Sequence, residues 1–165
     1  MLFKQEYPAT PEESFITTGR PVFNPEQLIN LLDNAPEPKK HLALEAEEWN
    51  EHFRGELLLY DNIDPGETYY IGADVSMGIR GGDWSCAQVL DSNKKQVATY
   101  RSQVHPDFFA TVLFHLGKLF NDVFIVVESN GHGLLTCTRL GKDMAYPHFY
   151  TETIVDKLTD KETIK

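Results

Sequence analysis

Cysteine is scarce in this sequence: only Cys86 and Cys137 occur, both inside apolar patterns and without metal-ligand spacing. That excludes a disulfide framework and a zinc cluster, and leaves two buried free thiols as the expected state. No apolar run approaches the ~20 residues of a helical membrane span. The opening MLFKQEYPATPEE carries no signal-peptide core, so an intracellular location is expected. Positive charge is also short, with 15 Lys and Arg against 25 Asp and Glu and a net charge of −10. No basic stripe offsets it, so nucleic-acid binding by this chain alone is expected to be weak, since phosphate neutralisation supplies most non-specific affinity. Gly78, Gly81 and Gly82 are not followed by Gly-Lys-Ser/Thr, which excludes a Walker loop. Ser76 and Ser129 lack a histidine and an acid at a recognisable spacing, which argues against a serine nucleophile. Internal repeats and low-complexity segments are missing as well.

What is present suits an ordinary globular chain: 165 residues, 41% hydrophobic and 12% aromatic, enough for one domain or a domain with an appendage. The charge is uneven. Residues 1–66 hold 13 acidic and 5 basic side chains, whereas 67–165 hold 12 and 10, so the second part is nearly neutral.

Residues 1–23 carry three prolines and no sustained period, and read as extended chain with at most a short helix at Pro11 to Phe15. Asn24-Pro25-Glu26-Gln27 opens a helix, with Asn24 as cap and Pro25 at the first helical position, and Leu28, Ile29, Leu31 and Leu32 give it an apolar face before Pro36. HLALEAEEWNEHF, His41 to Phe53, is rich in helix formers and is expected to be a second helix with an acidic, solvated face. Short apolar runs then predict strands at Glu56 to Tyr60, from Tyr69 to Asp74, at Cys86 to Leu90 and at Gln96 to Arg101, the last three forming an antiparallel meander. From Asp107 to Phe120 apolar residues recur at three- and four-residue spacing, an amphipathic helix. Val123 to Val127 (VFIVV) reads as a central strand covered on both faces, followed by a helix to about Leu140 and a short run at Tyr146 to Tyr150. Thr151 to Lys165 is polar and shows no core face.

Two acids share a context. Asp74 and Glu128 each close an apolar strand and each precede a glycine-containing turn. A carboxylate at a buried strand end needs a partner, either the backbone amides of the turn or a cation. A right-handed crossover through the helix at 107–120 would set the two strands side by side and parallel, with both acids at one end of the sheet. Hard oxygen ligands so placed suit magnesium or manganese, and two such ions can serve phosphodiester hydrolysis. Asp83, in Gly81-Gly82-Asp83, is a further candidate ligand or a turn aspartate bonding its own backbone. Asn130 and His132 flank Glu128.

With these residues in view, the chain resembles the large terminase subunit of tailed bacteriophages. Gln5 to Phe23 is similar to the segment with which that family leaves its ATPase domain. YYIGADVSMGIRGGDWSCAQVL, Tyr69 to Leu90, resembles its first nuclease strand and hairpin, and FIVVESNGHG, Phe124 to Gly133, the strand bearing its catalytic glutamate. The resemblance implies an α/β, ribonuclease H-like mixed sheet built from an antiparallel three-strand meander, a crossover helix and a further parallel strand, with helices on the faces. It implies residues 1–55 as a linker and helical segment after the ATPase domain and 56–165 as a C-terminally incomplete nuclease domain. It also implies Asp74 and Glu128 as catalytic residues, with Asp74, Glu128 and Asp83 as ligands of two Mg2+ or Mn2+ ions in an endonuclease that cuts concatemeric double-stranded DNA. The small terminase subunit and the portal protein are the implied partners, in the bacterial host cytoplasm. The third catalytic acid is expected beyond Lys165, so an inert docking module is the competing reading. A lobe of an actin-like or sugar-kinase ATPase is another, since these also place an aspartate after a first strand.

Overall fold

The structure is a computed structural model of the chain that describes residues 23–156 and 161–164. The expectations for residues 1–22 lie outside the described residues. Residues 1–37 and 38–165 form two compact units. In the first, helix α1 (Pro25–Asp33) is capped as expected: Asn24 Oδ1 accepts from the amides of Glu26 and Gln27 at 2.9 and 3.2 Å.

The second unit is built on a seven-stranded mixed sheet. Its strands are β1 (Lys40–Glu45), β2 (Glu48–Glu51), β3 (Leu57–Leu59), β4 (Tyr69–Asp74), β5 (Ser85–Asp91), β6 (Gln96–Ser102) and β7 (Phe124–Val127), in the order β2-β1-β3-β6-β5-β4-β7. All neighbours are antiparallel except β4 and β7, which are parallel. The meander of β4, β5 and β6 is as expected. So is the crossover through helix α2 (Pro106–Leu119), started by His105 as cap and Pro106 at the first helical position.

Alternation decides which side of the sheet is dry. Tyr69, Ile71 and Ala73 on β4, Ala87 and Val89 on β5, and Ala98 and Tyr100 on β6 are buried. Over them lies α2, whose Phe109, Val112, Leu113 and Leu116 are fully buried. Tyr69 meets Phe120 edge to face at 5.1 Å, and Tyr100 stacks on Phe109 at 6.0 Å. The opposite face carries Tyr70, Gly72 and Asp74, Gln88, Arg101, Phe124 and Val126, all exposed.

Two expectations are corrected. His41 to Phe53 is no helix but the hairpin β1–β2, turning at Ala46 and Glu47, both with positive φ (48° and 68°). Helix propensity yields here to tertiary pairing: Leu42 is buried in the core, and β1 bonds β3 along three registered pairs. Gly55 enforces this, because a Cβ there would lie 2.3 Å from the Leu42 carbonyl. Strand β7 is not covered on both faces, since Phe124 and Val126 are 40% and 42% exposed, and it ends the ladder. Only a single bridge, Ile125 to Phe149, adds beyond it, where the short run at Tyr146 to Tyr150 was read. Outside this sheet, β8 (Thr153–Asp156) and β9 (Lys161–Ile164) pair antiparallel with each other.

Candidate active site at the ends of β4 and β7

The site grows from the one parallel pairing. Ala73 and Val127 are register partners, and Glu128 N donates to Ala73 O at 2.9 Å. The next residue in each case is an acid: Asp74 closes β4, and Glu128 directly follows β7. Because Ala73 faces the core, period-two alternation turns Asp74 to the open face, and Glu128 follows β7 on a neighbouring backbone about 4.8 Å away. Both are exposed.

Each acid is followed by a turn whose shape is fixed by small residues. After Glu128, Gly131 takes positive φ (50°), and Gly133 starts helix α3 (Gly133–Thr138) so close to the strand that a Cβ would sit 1.8 Å from Glu128 O. A π-helical turn, Arg139–Asp143, continues α3 to and past Leu140. Thr136 Oγ1, buried, donates to Pro106 O at 2.9 Å and ties α3 to the start of α2. Asn130 Nδ2 donates to Glu128 Oε1 at 2.8 Å, which orients the carboxylate. His132 is exposed and caps nothing with its side chain.

After Asp74, Gly78 turns with φ of 71° against Val104, where a Cβ would lie 2.3 Å from backbone atoms. The loop is held by serines rather than by Asp74. Ser85 Oγ accepts from Ser76 N at 3.0 Å, and Ser76 Oγ donates to Asp83 O at 2.9 Å and accepts from Gly78 N at 3.2 Å. Gln103 closes the far side, Nε2 donating to Gly82 O and Oε1 accepting from Gly81 N. Among the described residues no backbone amide donates to the Asp74 or Asp83 carboxylates, so neither acid acts as the loop's own fastener. Sequence reasoning missed this clamp. Its signal was the pair of serines nine residues apart, one on each side of the glycines.

Asp83 is exposed on that loop. Among the described residues no group of three or more His, Cys, Asp or Glu side chains is gathered to hold a metal ion, so the three expected ligands are not assembled as a set. What the register sets side by side is the backbone at Asp74 and Glu128. Their donors are hard carboxylate oxygens, which fit magnesium or manganese in type. Cys86, opposite Asp74 on β5, has its thiol pushed up by burial against the lowering effect of Arg101, with Asp74 adding to the rise. The site is open surface; one hollow, lined by Glu67, Tyr70, Asn121 and His148, lies at the opposite end of β4.

Comparison with solved structures gives the fold a counterpart. The crystal structure of the large terminase nuclease from thermophilic phage G20c with bound cobalt superposes with a TM-score of 0.51 at 20% identity, over 72% of this chain and 57% of that one. The fold is that of a large terminase nuclease domain. The zinc-bound structure of the same phage nuclease gives a TM-score of 0.49 at 21% identity, over 67% and 58% of the two chains. The nuclease domain of the Thermus phage P74-26 large terminase gives 0.40 at 15%, over 76% and 80%. The chain thus spans somewhat more than half of the G20c nuclease in its cobalt-bound form. No protein-family model matches the sequence and no curated protein matches it. The expected ribonuclease H-like mixed sheet, as in the terminase nuclease fold, is what the strand order shows. No helix among the described residues is long and apolar enough to cross a membrane.

Proposed function

We propose that this chain is the nuclease domain of a phage DNA-packaging terminase, a metal-dependent endonuclease acting on concatemeric double-stranded DNA. The observation that supports the reading is the parallel register of Ala73 with Val127, which sets the residues that follow them, Asp74 and Glu128, at adjoining ends of β4 and β7. In this proposal Asp74 and Glu128 would hold the ions, the Glu128 carboxylate being oriented by Asn130. Asp83 is a further ligand offered from the loop. Two Mg2+ or Mn2+ ions bound here would supply an activated water and stabilise the leaving oxygen of a phosphodiester. The cobalt bound by the G20c nuclease is in keeping with a preference for divalent cations. The acids are exposed, which leaves them open to a duplex.

Of residues 1–55, expected as the segment after an ATPase domain, 1–37 keep that place in this reading, while β1 and β2 belong to the sheet. The small terminase subunit and the portal protein are its partners, and the bacterial host cytoplasm its place of action. A second reading, a non-catalytic docking module, is favoured by one observation: the described residues gather no three-donor group. Supercoiled plasmid separates the two. Nicking with Mn2+ that disappears in Asp74→Ala supports the nuclease, and no cleavage at any Mg2+ or Mn2+ concentration supports the module.

A further inference from the structure

On the open face the acid pair has a cationic neighbour. Asp74, Cys86 and Arg101 are successive register partners across β4, β5 and β6, so their side chains form one row on that face. Two strand spacings put the Arg101 backbone about 10 Å from that of Asp74. The guanidinium lies over the Trp84 indole, 4.3 Å from the ring centroid. Trp84 is itself 44% exposed and is fixed between Asp83, whose carbonyl Ser76 holds, and Ser85, which is buried. Arg101 is exposed, and among the described residues it enters no ion pair. Stacking occupies the π face of a guanidinium and leaves its in-plane N–H donors pointing outward, the arrangement that suits bidentate capture of a phosphate.

We infer that Arg101, held flat on Trp84, is a phosphate-binding residue that positions the DNA strand beside the Asp74–Glu128 pair. This rests on the nuclease reading for its substrate class. A DNA strand carries one charge per ~3.4 Å of axis, so a cation about 10 Å from the acids meets a phosphate within about three nucleotides of the one they face. The contact reads charge and backbone, with no base preference. It gives an acidic chain a local foothold for duplex, next to the acids that would otherwise repel it.

The test is duplex binding by fluorescence anisotropy, in EDTA so that no strand is cut, at salt concentrations from 50 to 200 mM. Arg101→Ala should weaken binding several-fold at the low-salt end and reduce the slope of log K against log salt by about 0.9, the value of one phosphate contact. Arg101→Lys keeps the charge and should keep the slope. An unchanged slope in a folded Arg101→Ala protein overturns the assignment, as does an equal fall in Arg101→Lys, or a parent chain that binds no duplex. Cleavage is read separately. A chain that binds with the expected slopes but cuts nothing retains the arginine's role and loses the nuclease. One that nicks plasmid in an Asp74-dependent way while Arg101→Ala leaves the slope unaltered does the reverse.

Discussion

The two faces of the sheet answer to different physics. The face under α2 is filled with Tyr69, Ile71, Val89, Tyr100 and the helix residues Phe109, Leu113 and Leu116, all at or below 4% exposure, and it holds the fold together. The other face presents Asp74, Glu128, Gln88 and Arg101 to solvent and buries little. Neighbours in sequence thus serve opposite ends, for Ala73 packs into the core while Asp74, one residue on, is displayed to solvent. Stability and chemistry are separable along the same strand, and substitutions on the two faces should differ sharply in kind.

The largest stability effect is expected from the covered face. Phe109→Ala removes a fully buried ring that stacks on Tyr100, and should cost about 3–5 kcal/mol in a urea unfolding series. A loss below about 1 kcal/mol would mean that this face is not the core.

Alkaline pH probes the same side next. Burial pushes the Tyr100 phenol up to about 12 from an ordinary 10. The folded value lies above the unfolded one, so this contribution is complete below pH ~10 and is lost as pH rises through 12, about 2–3 kcal/mol in all. Burial raises the Tyr146 phenol too, so some alkaline loss will persist without Tyr100. Tyr100→Phe should therefore soften, but not abolish, the drop in unfolding free energy between pH 9 and 12. A drop of the same size in Tyr100→Phe would place that proton elsewhere.

Asn130→Ala crosses to the open face. It deletes the amide that orients Glu128 and should lower Mn2+ affinity about 10–100-fold while leaving the melting temperature nearly in place. The smallest stability effect belongs to Asp74→Asn, expected within about 0.5 kcal/mol of the parent, because an exposed acid beside another acid contributes little to folding. Should Asp74→Asn destabilise the protein by as much as Phe109→Ala, the division between the faces would fail.

The covered face was the more legible one. Short apolar runs from Tyr69 to Asp74 and from Cys86 to Leu90 announced β4 and β5, and the spacing of Phe109, Val112, Leu113 and Leu116 announced α2, because one core selects both patterns. The crossover rule then placed the strand ending at Glu128 beside the one ending at Asp74, a non-local fact drawn from local pattern. Legibility failed where a contact distant in sequence outweighs local preference. HLALEAEEWNEHF favours a helix residue by residue, and only the approach of Gly55 to Leu42 and the ladder with β3 make it a hairpin. The run VFIVV looked central because edge strands with an apolar outer face are uncommon in isolation, whereas Phe124 here packs against Tyr150. The loop clamp of Ser76, Ser85 and Gln103 went unread because single hydroxyls and amides leave no periodic trace, only the spacing of the two serines about the glycines.

The pairing of Asp74 with Glu128 as a divalent-cation site is the claim on which the functional account turns. An anomalous difference map from crystals soaked in Mn2+ tests it most directly. The account predicts a peak within about 2.0–2.3 Å of a carboxylate oxygen from each of the two acids. A peak bound elsewhere and remote from both, or no peak at saturating Mn2+, would contradict it.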